Sequence, residues 1–217
     1  LFTEDDFKDV ENGVLKDGVP KQTFTAKVRP GDIKYVDLDK NGFIDTYDQM
    51  AIGGTENPEI VYGFGVNLRW KELDFGAMFQ GIGRTWRILS SNIMPASNKG
   101  SMYNIFDNYQ DRWTVDNQSQ DVFYPRADYG PNANNSQKST WWLRNMSFLR
   151  LKNLELGYSC PKKWLQGFVI SNARVFVRGT NLLTFSKFNL WDPELATGDG
   201  AKYPAMKSVS VGFDITF

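Results

Sequence analysis

The twelve residues Asp37-Leu38-Asp39-Lys40-Asn41-Gly42-Phe43-Ile44-Asp45-Thr46-Tyr47-Asp48 gather hard oxygen donors at a spacing that can hold a metal ion. Asp37, Asp39 and Asn41 stand at positions one, three and five of the EF-hand calcium loop, Asp45 at nine and Asp48 at twelve. Gly42 supplies the sharp turn at six, the Phe43 carbonyl is the position-seven ligand, and Ile44 is the apolar residue at eight. Calcium takes roughly six to eight oxygens in a flexible shell, and this spacing converges them on one point. The expectation is one structural calcium ion. Asp48 stands where a longer Glu usually closes the shell with both oxygens, so high affinity is not expected. No clear amphipathic helix flanks the loop, which argues against paired calcium sensing. The other reading of the same residues is an Asp/Asn/Gly-rich turn without metal.

Other chemistry is poorly supplied. The chain has no histidine, which removes the usual general base. Its one cysteine, Cys160, cannot form an internal disulfide. No nucleophile–base arrangement and no carboxylate pair in a cleft can be assembled, so no catalytic residues and no enzyme activity are expected. Lys plus Arg and Asp plus Glu are 25 each, which excludes bulk attraction to nucleic acid or to anionic lipid.

The elements around the loop read as strands. With 16 Phe, 9 Tyr, 7 Trp and 19 Gly, the composition suits strands and turns better than helices. The last ten residues alternate strictly: Val209, Val211, Phe213, Ile215 and Phe217 on one face, Ser208, Ser210, Gly212, Asp214 and Thr216 on the other. Taken alone, this segment fits either a strand between lipid and a watery lumen or an amphipathic strand of a soluble sheet. Ile60–Trp70 alternates in the same way. Lys71-Glu72 then makes a tight turn into a second run, Leu73, Phe75, Ala77 and Phe79, which predicts a hairpin. Between Phe148 and Ser159 the apolar parity slips after Leu151, which predicts a bulge near Lys152-Asn153. The strands expected are 60–70, 73–82, 148–159, 173–183 and 207–217. Residues 1–59 form a polar region that includes the calcium-type loop 37–48. At the start, Thr3-Glu4-Asp5-Asp6 caps a short helix to about Val10.

The connections alternate between long and short. Residues 83–147 and 184–206 are long and polar, whereas 71–72 and 160–171 are shorter. Membrane barrels show this asymmetry, with short periplasmic turns and long extracellular loops. Trp141, Trp142, Trp191, Tyr103, Tyr109 and Trp113 lie in or beside the long loops, where rings can stack on a sugar face or simply pack the loop. Of these, Trp141, Trp142 and Trp191 are the substrate-binding candidates.

Several segments in this order resemble one family. They are Pro30-Gly31-Asp32-Ile33-Lys34-Tyr35, Tyr62-Gly63-Phe64-Gly65 and Phe79-Gln80-Gly81. Arg150-Leu151-Lys152-Asn153-Leu154-Glu155-Leu156-Gly157-Tyr158, Thr180-Asn181-Leu182-Leu183-Thr184 and Asp192-Pro193-Glu194 follow. From about Pro30 to Phe217 the chain resembles the C-terminal part of the SusC/RagA family, TonB-linked outer-membrane transporters of Bacteroidetes. The resemblance implies an all-β fold, about five C-terminal antiparallel strands of a large plugged transmembrane β-barrel. It implies import of oligosaccharides or peptides, a SusD-like surface lipoprotein as lid, and energy from TonB through an N-terminal part absent from this chain. It also implies an outer-membrane location with extracellular loops, a periplasmic C-terminus, and a terminal aromatic strand (Phe213, Ile215, Phe217) read during assembly. The chain, which starts at Leu1, is then a piece of a longer protein. The alternative is a secreted, calcium-stabilised β-sandwich adhesion module, in which the apolar faces would bury one another.

Overall fold

The computed structural model describes residues 1–89, 106–128 and 132–217. Its strands are β1 (Phe7–Asp9), β2 (Val14–Leu15), β3 (Lys21–Gln22), β4 (Phe43–Ile44), β5 (Ile60–Trp70), β6 (Leu73–Gly83), β7 (Trp86–Ile88), β8 (Leu143–Asn145), β9 (Phe148–Ser159), β10 (Asn172–Ser186) and β11 (Ser208–Thr216). One short helix, α1 (Lys162–Leu165), precedes β10. The chain divides into two compact units, Leu1–Gly53 with Ile88–Leu143, and Gly54–Arg87 with Arg144–Phe217. Much of the long connection 83–147 therefore joins the N-terminal region in one unit.

The second unit is a five-stranded antiparallel meander in the order β5-β6-β9-β10-β11. Each alternating run in the sequence becomes a strand because its period of two puts most of its apolar residues on one face. The register keeps that face continuous from strand to strand. Leu68 pairs with Phe75, Phe75 with Leu156, Leu156 with Val177, and Val177 with Val211. Phe64 pairs with Phe79, and their rings stack with centroids 5.1 Å apart.

The parity slip in β9 is a bulge. Met78 pairs with Asn153 and Phe79 with Leu151, so Lys152 is the extra residue. Without it, Leu149 and Leu151 would turn to the polar face. A second irregularity lies at the same level in β10, between Thr180 and Leu183. Here Asn181 takes φ 53°, a left-handed conformation that Asn tolerates, and its Nδ2 donates to the Met206 carbonyl at 3.0 Å. The irregularity lets β10 follow the bulge of β9, and β10 runs to Ser186, beyond the end expected at 183.

The first unit is mostly loop around two small ladders. Thr3 caps the first turn as its sequence predicts, its backbone N–H donating to Asp6 Oδ2 at 2.9 Å. The helix nevertheless ends after Glu4–Asp6 and the chain enters β1. Phe7 explains the change: it is buried with Phe2 and Val28 against Leu15 and Val19, which an extended backbone paired to β2 permits. β3 and β4 pair in parallel.

Asp32 organises the rest of this unit. Its buried carboxylate accepts from the Arg29 backbone N–H at 2.8 Å, Asn135 Nδ2 at 2.9 Å, Asn132 Nδ2 at 3.1 Å and Arg126 Nε at 3.2 Å. Asn135 Oδ1 in turn accepts from the Ile33 N–H at 2.8 Å. Gly31 beside it has φ 86°, and a Cβ there would meet the Trp113 ring at 2.3 Å. Gly31 is thus required twice, by conformation and by close approach.

Candidate functional site

The five-stranded sheet presents two contrasting faces. The apolar face carries Ile60, Phe64, Val66, Leu68, Phe75, Leu156, Val175, Val177, Val209, Val211, Phe213 and Ile215, all exposed, with Leu68 at 61 % and Phe213 at 73 %. Single exposed apolar side chains are ordinary, but a contiguous face of this size marks a surface meant for an apolar surrounding. The sandwich alternative requires a second sheet over this face, and among the described residues none covers it.

The opposite face is polar and ionic. Arg174 Nε donates to Asp74 Oδ1 at 2.9 Å, Arg174 Nη2 to Glu155 Oε1 at 2.6 Å, and Arg174 Nη1 to Asp214 Oδ2 at 3.2 Å. Arg178 Nε donates to Glu155 Oε2 at 2.6 Å. The Phe176 ring lies under both guanidinium groups, 5.0 Å from Arg174 and 5.3 Å from Arg178. Gly212 leaves room for that ring, since a Cβ there would come within 2.4 Å of it. Strands with one apolar and one charged face suit a wall between lipid and water.

Further along the same face, a second ionic cluster ties down the loop after β10. Arg150, fully buried, bonds Asp192, and its Nη1 lies 2.9 Å from Glu194 Oε2. Lys152 Nζ donates to Glu194 Oε1 at 2.7 Å. Asp192 also caps the turn Pro193–Leu195 by accepting the Glu194 N–H at 3.0 Å. In the sequence these residues stand in two separate segments, Arg150–Tyr158 and Asp192–Glu194. The signal was there: two cations two residues apart in β9, and two carboxylates two residues apart in the loop.

In the metal-type loop, carboxylate oxygens of Asp37, Asp39 and Asp48 lie within 4.8 Å of one another. Asp45 does not join this group. Its Oδ1 accepts the Tyr47 N–H at 2.7 Å instead. Lys40 with φ 61° and Gly42 with φ 86° wind the loop tightly. Asp37 Oδ2 accepts the Gly42 N–H at 2.9 Å, while Asp37 Oδ1 is shielded from water and has no hydrogen-bond partner. A shielded carboxylate oxygen without a donor is costly unless a cation meets it, so the donor set fits calcium. The Gly42 and Ile44 carbonyls accept from Lys21 and Thr23 at 3.0 and 3.1 Å, so the Phe43 carbonyl between them points away from β3. Ile44 is buried, as the apolar position requires. Asp48 accepts from the backbone N–H groups of Asp45 at 2.8 Å and Leu38 at 2.7 Å. These two bonds hold its carboxyl below the usual range, and both oxygens already close the loop. Asn41 is occupied locally, its Oδ1 accepting the Phe43 N–H at 2.7 Å.

The aromatic candidates are largely packing residues. Trp142 is in the core of the first unit, with Nε1 donating to the Asn135 carbonyl at 2.8 Å, and it presents no free face to a ligand. Trp113 is buried beside Gly31, and Tyr109 packs on Tyr124 at 5.7 Å. Trp141 is half-buried and donates to the Phe123 carbonyl at 3.2 Å. Trp191 is half-buried too, edge-on to Phe188 at 4.9 Å and close over Gly200. Tyr103 lies outside the described residues. Tyr35 donates its hydroxyl to the Asn134 carbonyl at 2.6 Å, and burial pushes its pKa up.

At the C-terminus, Phe213 and Ile215 lie on the exposed apolar face, and Phe217 follows the end of β11.

No protein-family model matches the chain. It is 32 % identical over 202 residues to TonB-dependent receptor P26 of Formosa agariphila, covering 86 % of this chain and 20 % of the relative. It is 24 % identical over 205 residues to TonB-dependent receptor SusC of Bacteroides thetaiotaomicron, covering 92 % of this chain and 19 % of the relative. Among solved structures, the RagAB peptide importer in its open-open state superposes with a TM-score of 0.66 at 34 % identity, over 84 % of this chain and 20 % of that one. The chain thus spans about one fifth of the proteins it matches. The sheet with its two faces and these likenesses together identify the chain as a SusC/RagA-like C-terminal region of the TonB-dependent receptor type.

Proposed function

We propose that this chain is a wall segment of an outer-membrane importer, with the apolar face of β5, β6, β9, β10 and β11 against lipid and the ionic face toward the lumen. The observation that carries the reading is the register. It aligns the apolar residues of all five strands on one exposed face and collects Asp74, Glu155, Asp214, Arg174 and Arg178 on the other. The unpaired edges of β5 and β11 then continue into further strands of a closed barrel. The long connections face outward from the cell, the short turns and the C-terminus face the periplasm, TonB energises transport through a remote part of the polypeptide, and a SusD-like lipoprotein covers the outer mouth. The likeness to a peptide importer favours peptides as cargo, with oligosaccharides as the competing class.

The loop 37–48 holds one calcium ion in a structural role, supported by the unpartnered Asp37 oxygen. It is bound by Asp37, Asp39 and Asp48 with the Phe43 carbonyl, and Asn41 and Asp45 brace the shell from outside it.

The test is fractionation and uptake with the full-length polypeptide. It should remain in the outer-membrane fraction and require detergent for extraction, and its deletion should abolish growth on short peptides. Extraction without detergent would favour the secreted sandwich module. Loss of growth on oligosaccharides alone would reassign the cargo.

A further inference from the structure

We infer that the connection between β9 and β10, residues 160–171, is an anchor for the lipid headgroup layer. This rests on the lipid-facing reading of the apolar sheet face. Both ends of the connection are pinned to the sheet. The Cys160 N–H donates to the Ala173 carbonyl at 2.7 Å, and the Ser171 N–H to the Thr216 carbonyl at 2.7 Å. Between them the backbone is ordered by α1, by the Phe168 N–H donating to the Leu165 carbonyl at 3.1 Å, and by Gly167 with φ 95°.

This ordered segment holds Trp164, Phe168 and Val169 out at 66 %, 69 % and 84 % exposure. Fixing a backbone so that three large apolar side chains face water has no internal return, because apolar side chains contribute stability only when they leave water. A surface outside the described residues must receive them.

Lipid is the occupant the surroundings favour. The apolar face of the sheet runs to this end without interruption, through the paired row Trp70, Leu73, Tyr158, Val175 and Phe213 to Ile215. The neighbouring hairpin turn ends in exposed Trp70 with Lys71 Nζ 5.1 Å from its ring. Lys162 and Lys163 sit beside Trp164 on α1. Tryptophan and lysine together, at the rim of an apolar band, match the chemistry of the headgroup layer: ring in the boundary, ammonium on phosphate.

The experiment places a nitroxide label on Phe168→Cys or, separately, Val169→Cys in the full-length polypeptide with Cys160→Ser. The protein is reconstituted in vesicles of phosphatidylethanolamine and phosphatidylglycerol, with labels at Phe213→Cys and Tyr47→Cys as lipid and water references. The expected result is collision with oxygen exceeding collision with a water-soluble nickel chelate at 168 and 169, at a depth shallower than at 213. A label at 168 and 169 as open to the chelate as that at 47, with 213 still in lipid, would overturn the anchor and leave the wall reading intact. So would a label shielded from both reagents, which would identify a protein surface as the occupant. A label at 213 open to the chelate would overturn both.

Discussion

Arg174 of β10 reaches over Gly157 of β9 to Asp74 of β6, crossing a whole strand to make its hydrogen bond at 2.9 Å. The crossing depends on the missing side chain. A Cβ at position 157 would lie 2.4 Å from Arg174 Nη2 and 2.5 Å from both Asp74 oxygens. The guanidinium is shared by three carboxylates, so it is the hub of the polar face rather than one half of a pair.

Arg174→Met should therefore cost more than Asp74→Asn. The first leaves Asp74, Glu155 and Asp214 facing one another with Arg178 on Glu155 alone, whereas the second removes one acceptor. A loss of about 1–3 kcal/mol is expected for Arg174→Met and about 1 kcal/mol or less for Asp74→Asn. Gly157→Val should resemble Arg174→Met. The readout is the temperature at which the purified full-length protein loses its folded migration on a gel. Equal values for Arg174→Met and wild type would mean that solvent screens the network.

Asp32→Ala should loosen the first unit without affecting the sheet. It strips the acceptor from the Asn132 and Asn135 amides and from Arg126, all partly or fully buried. Breaking such a buried hub costs about 3–5 kcal/mol. Hydrogen exchange over residues 106–128 and 132–143 should accelerate, while exchange in β9 and β10 stays at the wild-type rate. Unchanged exchange in the first range would refute the hub role.

The metal-type loop 37–48 carries a joint prediction about affinity and acid. Asp48 spends both oxygens on backbone N–H groups, so calorimetry should find a weak site, on the order of 10⁻⁴–10⁻³ M, and none in Asp37→Ala. The Asp48 carboxyl is held low by the N–H groups of Asp45 and Leu38. A depressed folded pKa contributes stability that is present above the ordinary carboxylate range and is lost only as pH falls through the lowered value. Loop closure by Asp48 should therefore be the same at about pH 7 and about pH 5. The Leu38 and Asp45 amide signals, whose N–H groups donate to this carboxylate, should shift only in stronger acid. A shift centred on the ordinary Asp range would contradict this.

The five strands are legible in the sequence because lipid-type alternation is strict, and even the bulge at Lys152 shows as a parity slip in the leucines. The ionic partners are not legible. Arg150 and Glu155 have opposite parity and share the polar face only because Lys152 is extruded between them. The second irregularity at Asn181 gives no apolar signal, since Thr180, Asn181 and Thr184 are polar on either register. Asp32 is hidden for another reason: its partners lie about a hundred residues away in an Asn-rich loop with no period. Trp142 shows the limit for binding residues. Nothing in a tryptophan's sequence neighbours tells a ring that stacks on ligand from one that fills a core.

Phe217→Ser should lower the amount of protein assembled in the outer membrane more than it lowers uptake per assembled molecule. Phe217 lies one residue past β11 and is 81 % exposed, so the change removes no packing within the described chain and should leave the folded sheet as stable as before. What it removes is Phe217 from the apolar row Phe213, Ile215 and Phe217, the row on which the proposed assembly role rests. Phe213→Ser, in the middle of β11 opposite Val175, should lower both assembly and stability, because that side chain belongs to the apolar face itself. Surface abundance by accessible epitope and uptake of labelled peptide should be measured on the same cells. Normal abundance with lost uptake in Phe217→Ser would contradict an assembly role, and normal values of both would mean that the row ends functionally at Ile215.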